Sequence, residues 1–287
     1  MNPLLVGLGI STSAAAGEDP VAAARTAERL GFDFVSASDH PVGTHPAYDT
    51  PTLLTWIAAH TRRISVASRV LGVPFRRPAV LAKSIESLDR LSGGRVILGL
   101  GAGYSDEEIT TLGGRAQTPA EKVAGLADAV QIIRGAWSRP GFSHAGPVYR
   151  VANLDMEPKP ARTIPIWLGT FGPRALAVTG RLADGWIPSL GHAPPARIPE
   201  MRLRISDAAL AVGRRADAVR CVYNVPVRLD PAARSTDQEV AGSAVDVVEQ
   251  LQEFRQLGFT GFNLMMSGPD LAAQTQAIAE DVLPGLR

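Results

Sequence analysis

The sequence predicts a closed (β/α)8 TIM barrel, read as a single domain over residues 1–287 with insertions after strand four and before strand five. Two observations carry this expectation. β-branched and apolar runs alternate with amphipathic stretches, and the alternation never changes style, as a parallel sheet built of βα units requires. The 287 residues also fit the roughly 250 of such a barrel, leaving a surplus for insertions. An open doubly wound sheet is the runner-up, but eight regular units favour closure. At 45% apolar and 20% charged residues the chain can bury a deep core.

The first strand, Leu4–Ile10, runs into Ser11, Thr12 and Ser13, small residues that leave room for a flat ligand but supply no acid or base. A helix over 20–31 follows, opened by Pro20 and stopped by Gly31, with Val21, Ala23, Ala24, Ala27 and Leu30 on one stripe. The second strand, Phe32–Ser38, ends in Asp39-His40-Pro41. Chemistry in these barrels sits at the C-terminal ends of the strands. An Asp beside a His there can hydrogen-bond a heterocycle and move a proton near neutral pH, although a His capping the turn before Pro41 is the plainer alternative.

After a helix over 50–60 comes the third strand, Arg63–Val70, whose apolar continuation up to Pro74 can wall a planar ring. A helix over 78–92 leads to the fourth strand, Arg95–Gly101. Its end, Gly99-Leu100-Gly101-Ala102-Gly103, places glycines at alternate positions, fitting either close ligand approach or a tight barrel corner, and it lacks the dinucleotide-binding spacing. The first insertion spans Ala102–Pro119. A helix over 119–137 precedes the second, Ser138–Thr163, in which Gly146–Val151 reads as an excursion with a short strand.

The fifth strand, Ile164–Gly169, opens into Thr170-Phe171-Gly172-Pro173-Arg174 at the start of a helix over 173–183. A hydroxyl, an Arg and a helix N-terminus make an anion site whose natural occupant is a phosphate. Strand six, Asp184–Pro188, holds Trp186, better read as core than as a cofactor-facing ring. The remaining units are a helix over 195–213, strand Arg220–Leu229 with Cys221 as a buried small hydrophobe, a helix over 243–257, strand Thr260–Met266 and a helix over 269–283.

Absences narrow the chemistry. The three lysines, Lys83, Lys122 and Lys159, avoid the strand ends, against a Schiff-base aldolase. No His pair stands at ligand spacing, so no metal is expected, and no carboxylate pair suggests glycoside hydrolysis. A net charge of +1 with interspersed signs excludes a nucleic-acid footprint. No apolar run approaches the ~20 residues of a membrane span. The start, Met1-Asn2-Pro3, shows no secretory signal, and the single cysteine fits a cytoplasmic setting. What is left, an Asp–His pair, an apolar wall and a phosphate nest, suits a phosphorylated planar redox cofactor.

With these residues in view, the chain resembles the luciferase-like monooxygenase superfamily over nearly its full length. The matching segments are 27–33 with Asp39-His40, 78–83 with 87–95, 98–103, 165–169 with Gly172-Pro173-Arg174, 183–186 and 247–264. Within it, the Asp39-His40 pair and the length are most similar to the branch that uses coenzyme F420. The resemblance implies that Asp39 and His40 face the deazaflavin, with His40 supporting hydride transfer. It implies a cis peptide at Arg69–Val70 propping the ring, Ala102 and Gly103 bordering ring or ribityl chain, and Gly169, Thr170, Phe171, Gly172, Pro173 and Arg174 holding the phosphate. A homodimer is implied too. The branch's sugar-phosphate dehydrogenases carry one Glu in the first loop and another after the strand-four glycines. Ser13 and Tyr104 stand there instead, so glucose 6-phosphate is not the expected substrate. An FMN-dependent monooxygenase working with oxygen is the alternative function, and a non-catalytic flavin carrier is a third.

Overall fold

The computed structural model describes residues 3–287; Met1 and Asn2, two of the residues in the reading of the chain's start, lie outside the described residues. The chain begins with β1 (Leu5–Gly9), α1 (Pro20–Arg29), β2 (Phe34–Ala37), α2 (Thr50–His60), β3 (Ser65–Ser68), β4 (Leu71–Gly72) and α3 (Pro78–Leu91). It continues with β5 (Val96–Gly101), α4 (Asp106–Thr111), α5 (Pro119–Ser138), β6 (Phe142–Ala145), β7 (Arg150–Leu154) and β8 (Ile166–Gly169). The last part holds α6 (Pro173–Leu182), β9 (Gly185–Trp186), α7 (Ile198–Leu210), β10 (Arg220–Leu229), β11 (Val240–Gly242), α8 (Ala244–Gln256), β12 (Gly261–Met266), α9 (Leu271–Ala277) and α10 (Leu283–Leu286).

Parallel pairing runs β10-β12-β1-β2-β3-β5-β8-β9, and β9 returns to β10, so eight strands close the predicted barrel. Closure explains the composition of the strands. With side chains packed inside and helices outside, both faces are dry, and β2 is buried at all four positions. Helix α1 lays Ala24 and Ala27 on the core behind Asp19, whose carboxylate caps the helix by accepting from the Ala22 amide.

Carboxylates fasten the N-terminal rim of the barrel. Asp33 accepts from the Val6 amide at 2.7 Å, Asp184 from Ile166 at 2.9 Å and Asp89 from Val96 at 3.2 Å. Glu28 Oε1 accepts three successive amides, of Arg62, Arg63 and Ile64. Burial pushes the Glu28 carboxyl up, yet those three amides and Arg63 outweigh it and hold the group below its ordinary value. These four carboxylates therefore serve strand starts, on the rim away from the strand C-termini.

Several expectations are corrected. The third strand stops at Ser68 rather than Val70, because Arg69 and Val70 leave the ladder before β4 rejoins it alongside β5. The first insertion contains α4, which the sequence reading left without structure. In the second insertion the expected strand at 146–151 is largely a turn. The strands are β6 and β7 on either side of it, paired as an antiparallel hairpin. Trp186 is fully buried and stacks near Phe259, and Cys221 is buried, both as expected. No helix of the described residues is long and apolar enough to cross a membrane.

Gly99 is the tightest point of the barrel wall: a Cβ there would lie 2.0 Å from the Ser68 carbonyl oxygen, which is fixed in the adjacent strand. Gly99→Ala should cost about 3 kcal/mol, read as a lowered urea midpoint with unchanged slope.

Candidate functional site

A cleft of about 590 Å³ opens at the C-terminal rim of the strands. It is lined by Asp39, His40, Arg69, Val70, Ala102 and Gly103 from one side and by Gly169, Thr170, Phe171, Gly172, Pro173 and Arg174 from the other. The fold thus brings every candidate site residue to one concavity. Phe75, Tyr104, Glu108, Lys122, Val123, Ile187 and Asn224 complete the lining.

Asp39 and His40 are neighbours in sequence but not partners. Successive side chains of an extended segment point in opposite directions. Asp39 turns inward to 5% exposure and His40 outward. The Asp39 carboxylate accepts from the Gly72 amide at 2.9 Å and from both terminal nitrogens of Arg76, at 2.7 and 3.0 Å. Arg76 also donates to Asp49 at 2.7 Å, the residue that caps α2. Burial would pull the Arg76 guanidinium down, but the two carboxylates outweigh it and hold it above its ordinary value. Asp39 is thereby committed to fixing the Leu71–Arg77 segment, which corrects the picture of a free Asp–His couple.

His40 has a different partner. Its Nδ1 lies 2.8 Å from Glu108 Oε1, on the first turn of α4. Ser105 caps that helix by accepting from the Glu108 amide at 3.1 Å. In a Ser-x-x-Glu start the Glu side chain usually folds back onto the cap; here it reaches across the cleft to the imidazole instead. The sequence reading missed Glu108. The signal that could have found it was Ser105-Asp106-Glu107-Glu108, a helix start inside the first insertion. It also tempers the argument from Tyr104: a glutamate does follow the strand-four glycines into the cleft, four positions later.

The cleft floor between the two ends is the Val70 side chain. The Arg69–Val70 peptide is cis. A Cβ on Gly101 would lie 2.6 Å from Val70 Cγ2, and one on Gly169 would lie 3.2 Å away. Gly101 and Gly169 therefore accommodate Val70, which in turn faces the cleft. The alternate glycines serve packing under the ligand space rather than direct ligand approach.

At the far end, α6 starts at Pro173 after Gly172, which offers no side-chain cap, and a Cβ on Gly172 would meet open space. The first amides of the helix are left as donors. Arg174 is exposed and has no ion-pair partner among the described residues. The Thr170 hydroxyl turns away, to Thr179 at 2.8 Å, while Trp186 Nε1 donates to the Thr170 carbonyl at 2.9 Å. Thr170 thus shapes the loop through its backbone, and the hydroxyl assigned to the anion nest is engaged elsewhere. Phe171 stacks on His192 at 5.0 Å, forming an aromatic rim.

A family model described as luciferase-like monooxygenase matches residues 5–240. The chain is 28% identical to an F420-dependent glucose-6-phosphate dehydrogenase of Intrasporangium calvum, over 91% of this chain and 92% of that protein. Among solved structures, an F420-dependent secondary alcohol dehydrogenase in complex with an F420-acetone adduct superposes with a TM-score of 0.89 at 18% identity, covering both chains fully. The monooxygenase RslO1 from Streptomyces bottropensis superposes at 0.85 and 19% identity, over 99% of this chain and 100% of that one. At those identities the structures share the fold.

Removing the cation from the buried Asp39 pair should be costly. Arg76→Met leaves a carboxylate with no exposed side-chain area facing one amide, and a loss of about 3–5 kcal/mol is expected, checked by chemical denaturation.

Proposed function

The chain belongs to the luciferase-like monooxygenase family, and from that premise we propose that it is an F420-dependent oxidoreductase, passing a hydride between the deazaflavin and a small organic substrate. The observation that carries this reading is one cleft holding an imidazole–carboxylate pair at one end and an uncapped helix N-terminus at the other. The relatives named F420-dependent glucose-6-phosphate dehydrogenase support the choice of cofactor.

The residues present fit such a group. Val70, Phe75, Ala102 and Ile187 give an apolar slot for a tricycle. Helix α6 with Arg174 suits its phosphate, since backbone amides and a free guanidinium meet at one point. The cofactor, when bound, supplies hydride chemistry.

The chain's own residues align and protonate. With Glu108 accepting from Nδ1–H, the His40 tautomer is set and Nε2 is the nitrogen left to take or give a proton at the substrate oxygen. Asp39 and Arg76 hold the wall rigid, so the reacting groups meet in a fixed geometry. Phe171, His192 and Tyr104 close the rim and help to exclude water. The reading includes a homodimer: Trp56 on α2 and Val80 on α3 are 59% and 64% exposed.

Titration with F420 and, separately, FMN tests the cofactor by ligand fluorescence. Tight F420 binding is expected, whereas FMN binding with no response to F420 would replace this reading with a flavin monooxygenase. His40→Ala should lower kcat by about 10²–10⁴-fold with little change in F420 affinity. Glu108→Gln should lower kcat by about tenfold, because it keeps an acceptor but loses the charge.

A further inference from the structure

Among the described residues, four buried arginine Nε atoms have no hydrogen-bond acceptor: those of Arg69, Arg162, Arg220 and Arg228. Three of these side chains are served through their other nitrogens or their charge. Arg162 donates to Asp89 at 2.5 Å, Arg228 lies 3.7 Å from Glu239, and Arg220 donates to the Pro3 carbonyl. Arg69 differs. Its side chain donates only to the Met265 sulfur at the end of β12, a weak acceptor, and no carboxylate among the described residues lies within ion-pair distance.

The polar side chains inside the barrel satisfy one another: Ser36 donates to Asn263, Asn263 to Asn224, and Asn224 to Ser189 and the Ile187 carbonyl. Burial without a partner pushes the Arg69 guanidinium down to about 10. The side chain is half-buried, and its Nε is the atom enclosed without a partner; such a donor is destabilising unless an acceptor is supplied. Arg69 lines the cleft, so the space it faces is ligand space.

We propose that the Arg69 side chain is an oxygen-recognition residue of the cleft, its guanidinium receiving an anionic or strongly polarised oxygen of the bound ligand. The chemistry is that of a carboxylate or a conjugated carbonyl, for which a planar, always-charged fork is suited. Two sources share it: the carboxylate of a small organic-acid substrate, and the pyrimidinedione edge of the deazaflavin. The inference rests on the cleft being the ligand site proposed above, but its sign does not depend on which redox cofactor occupies that site.

Arg69→Gln and Arg69→Lys are compared with the wild type in three measurements. The first is the ligand-free melting temperature: Arg69→Gln should melt higher, because an enclosed Nε–H without an acceptor has gone, whereas an arginine that only packs would leave the variant lower. The second is F420 titration by fluorescence. A tenfold or greater rise in Kd for Arg69→Gln, partly restored in Arg69→Lys, places the cofactor edge at Arg69. The third is calorimetric titration of ligand-free and F420-loaded protein with acetate, pyruvate and benzoate, using benzyl alcohol as neutral control. Carboxylate binding that Arg69→Gln weakens tenfold, at unchanged F420 affinity, places a substrate carboxylate there. Arg69→Gln matching the wild type in both titrations overturns the proposal, as does a lowered melting temperature. If the wild type ignores F420 but still loses carboxylate binding on Arg69→Gln, the cofactor reading fails and the role of Arg69 stands.

Discussion

The site depends on one buried ion pair. Asp39 sits where β2 ends, with a carboxylate that the fold has removed from water, and Arg76 answers it with two parallel hydrogen bonds while also holding Asp49 at the cap of α2. A fork-to-fork pair fixes direction as well as distance. It ties the end of one strand to the loop after the next and to the start of the intervening helix. The Val70 floor and the Phe75 wall of the cleft inherit their positions from that knot.

The two rims of the barrel handle charge differently. At the N-terminal rim, carboxylates are used up on strand amides: Glu28 on three, and Asp33, Asp89 and Asp184 on one each. Those bonds satisfy backbone donors that would otherwise be orphaned as strands begin. At the C-terminal rim, several groups are only partly engaged. Among the described residues His40 uses one ring nitrogen, α6 begins without a side-chain cap, Arg174 has no counterion and Arg69 has only a sulfur. Stability is concentrated on one rim and unsatisfied capacity on the other, the pattern expected where a scaffold carries a site on its loops.

Glutamate 108 shows how an insertion can complete such a site. As the third residue of α4 it donates its amide to the Ser105 hydroxyl, while its carboxylate, placed where it could fold back on the cap, meets His40. The helix is capped by Ser105 alone, which frees the glutamate for the imidazole. The aromatic trio of Tyr104, Phe171 and His192 likewise draws on three separate loops.

The sequence alone determined the barrel, because period, punctuation and strand-end composition are local signals that survive without tertiary contacts. It also marked the segments that reach the cleft, since in a closed parallel barrel every strand must end on the same rim. Pairing was decided only by the tertiary structure. That Asp39 belongs to Arg76 rather than to its neighbour His40, that His40 belongs to Glu108, and that the glycines of β5 make room for Val70 are facts of distance across the barrel. The Thr170 hydroxyl facing Thr179, and the guanidinium of Arg69 left without an oxygen, were equally invisible in one dimension. Residue type states what a group can bond. Which group it meets, and which it is denied, follows from burial and direction, and those exist only once the chain has closed on itself.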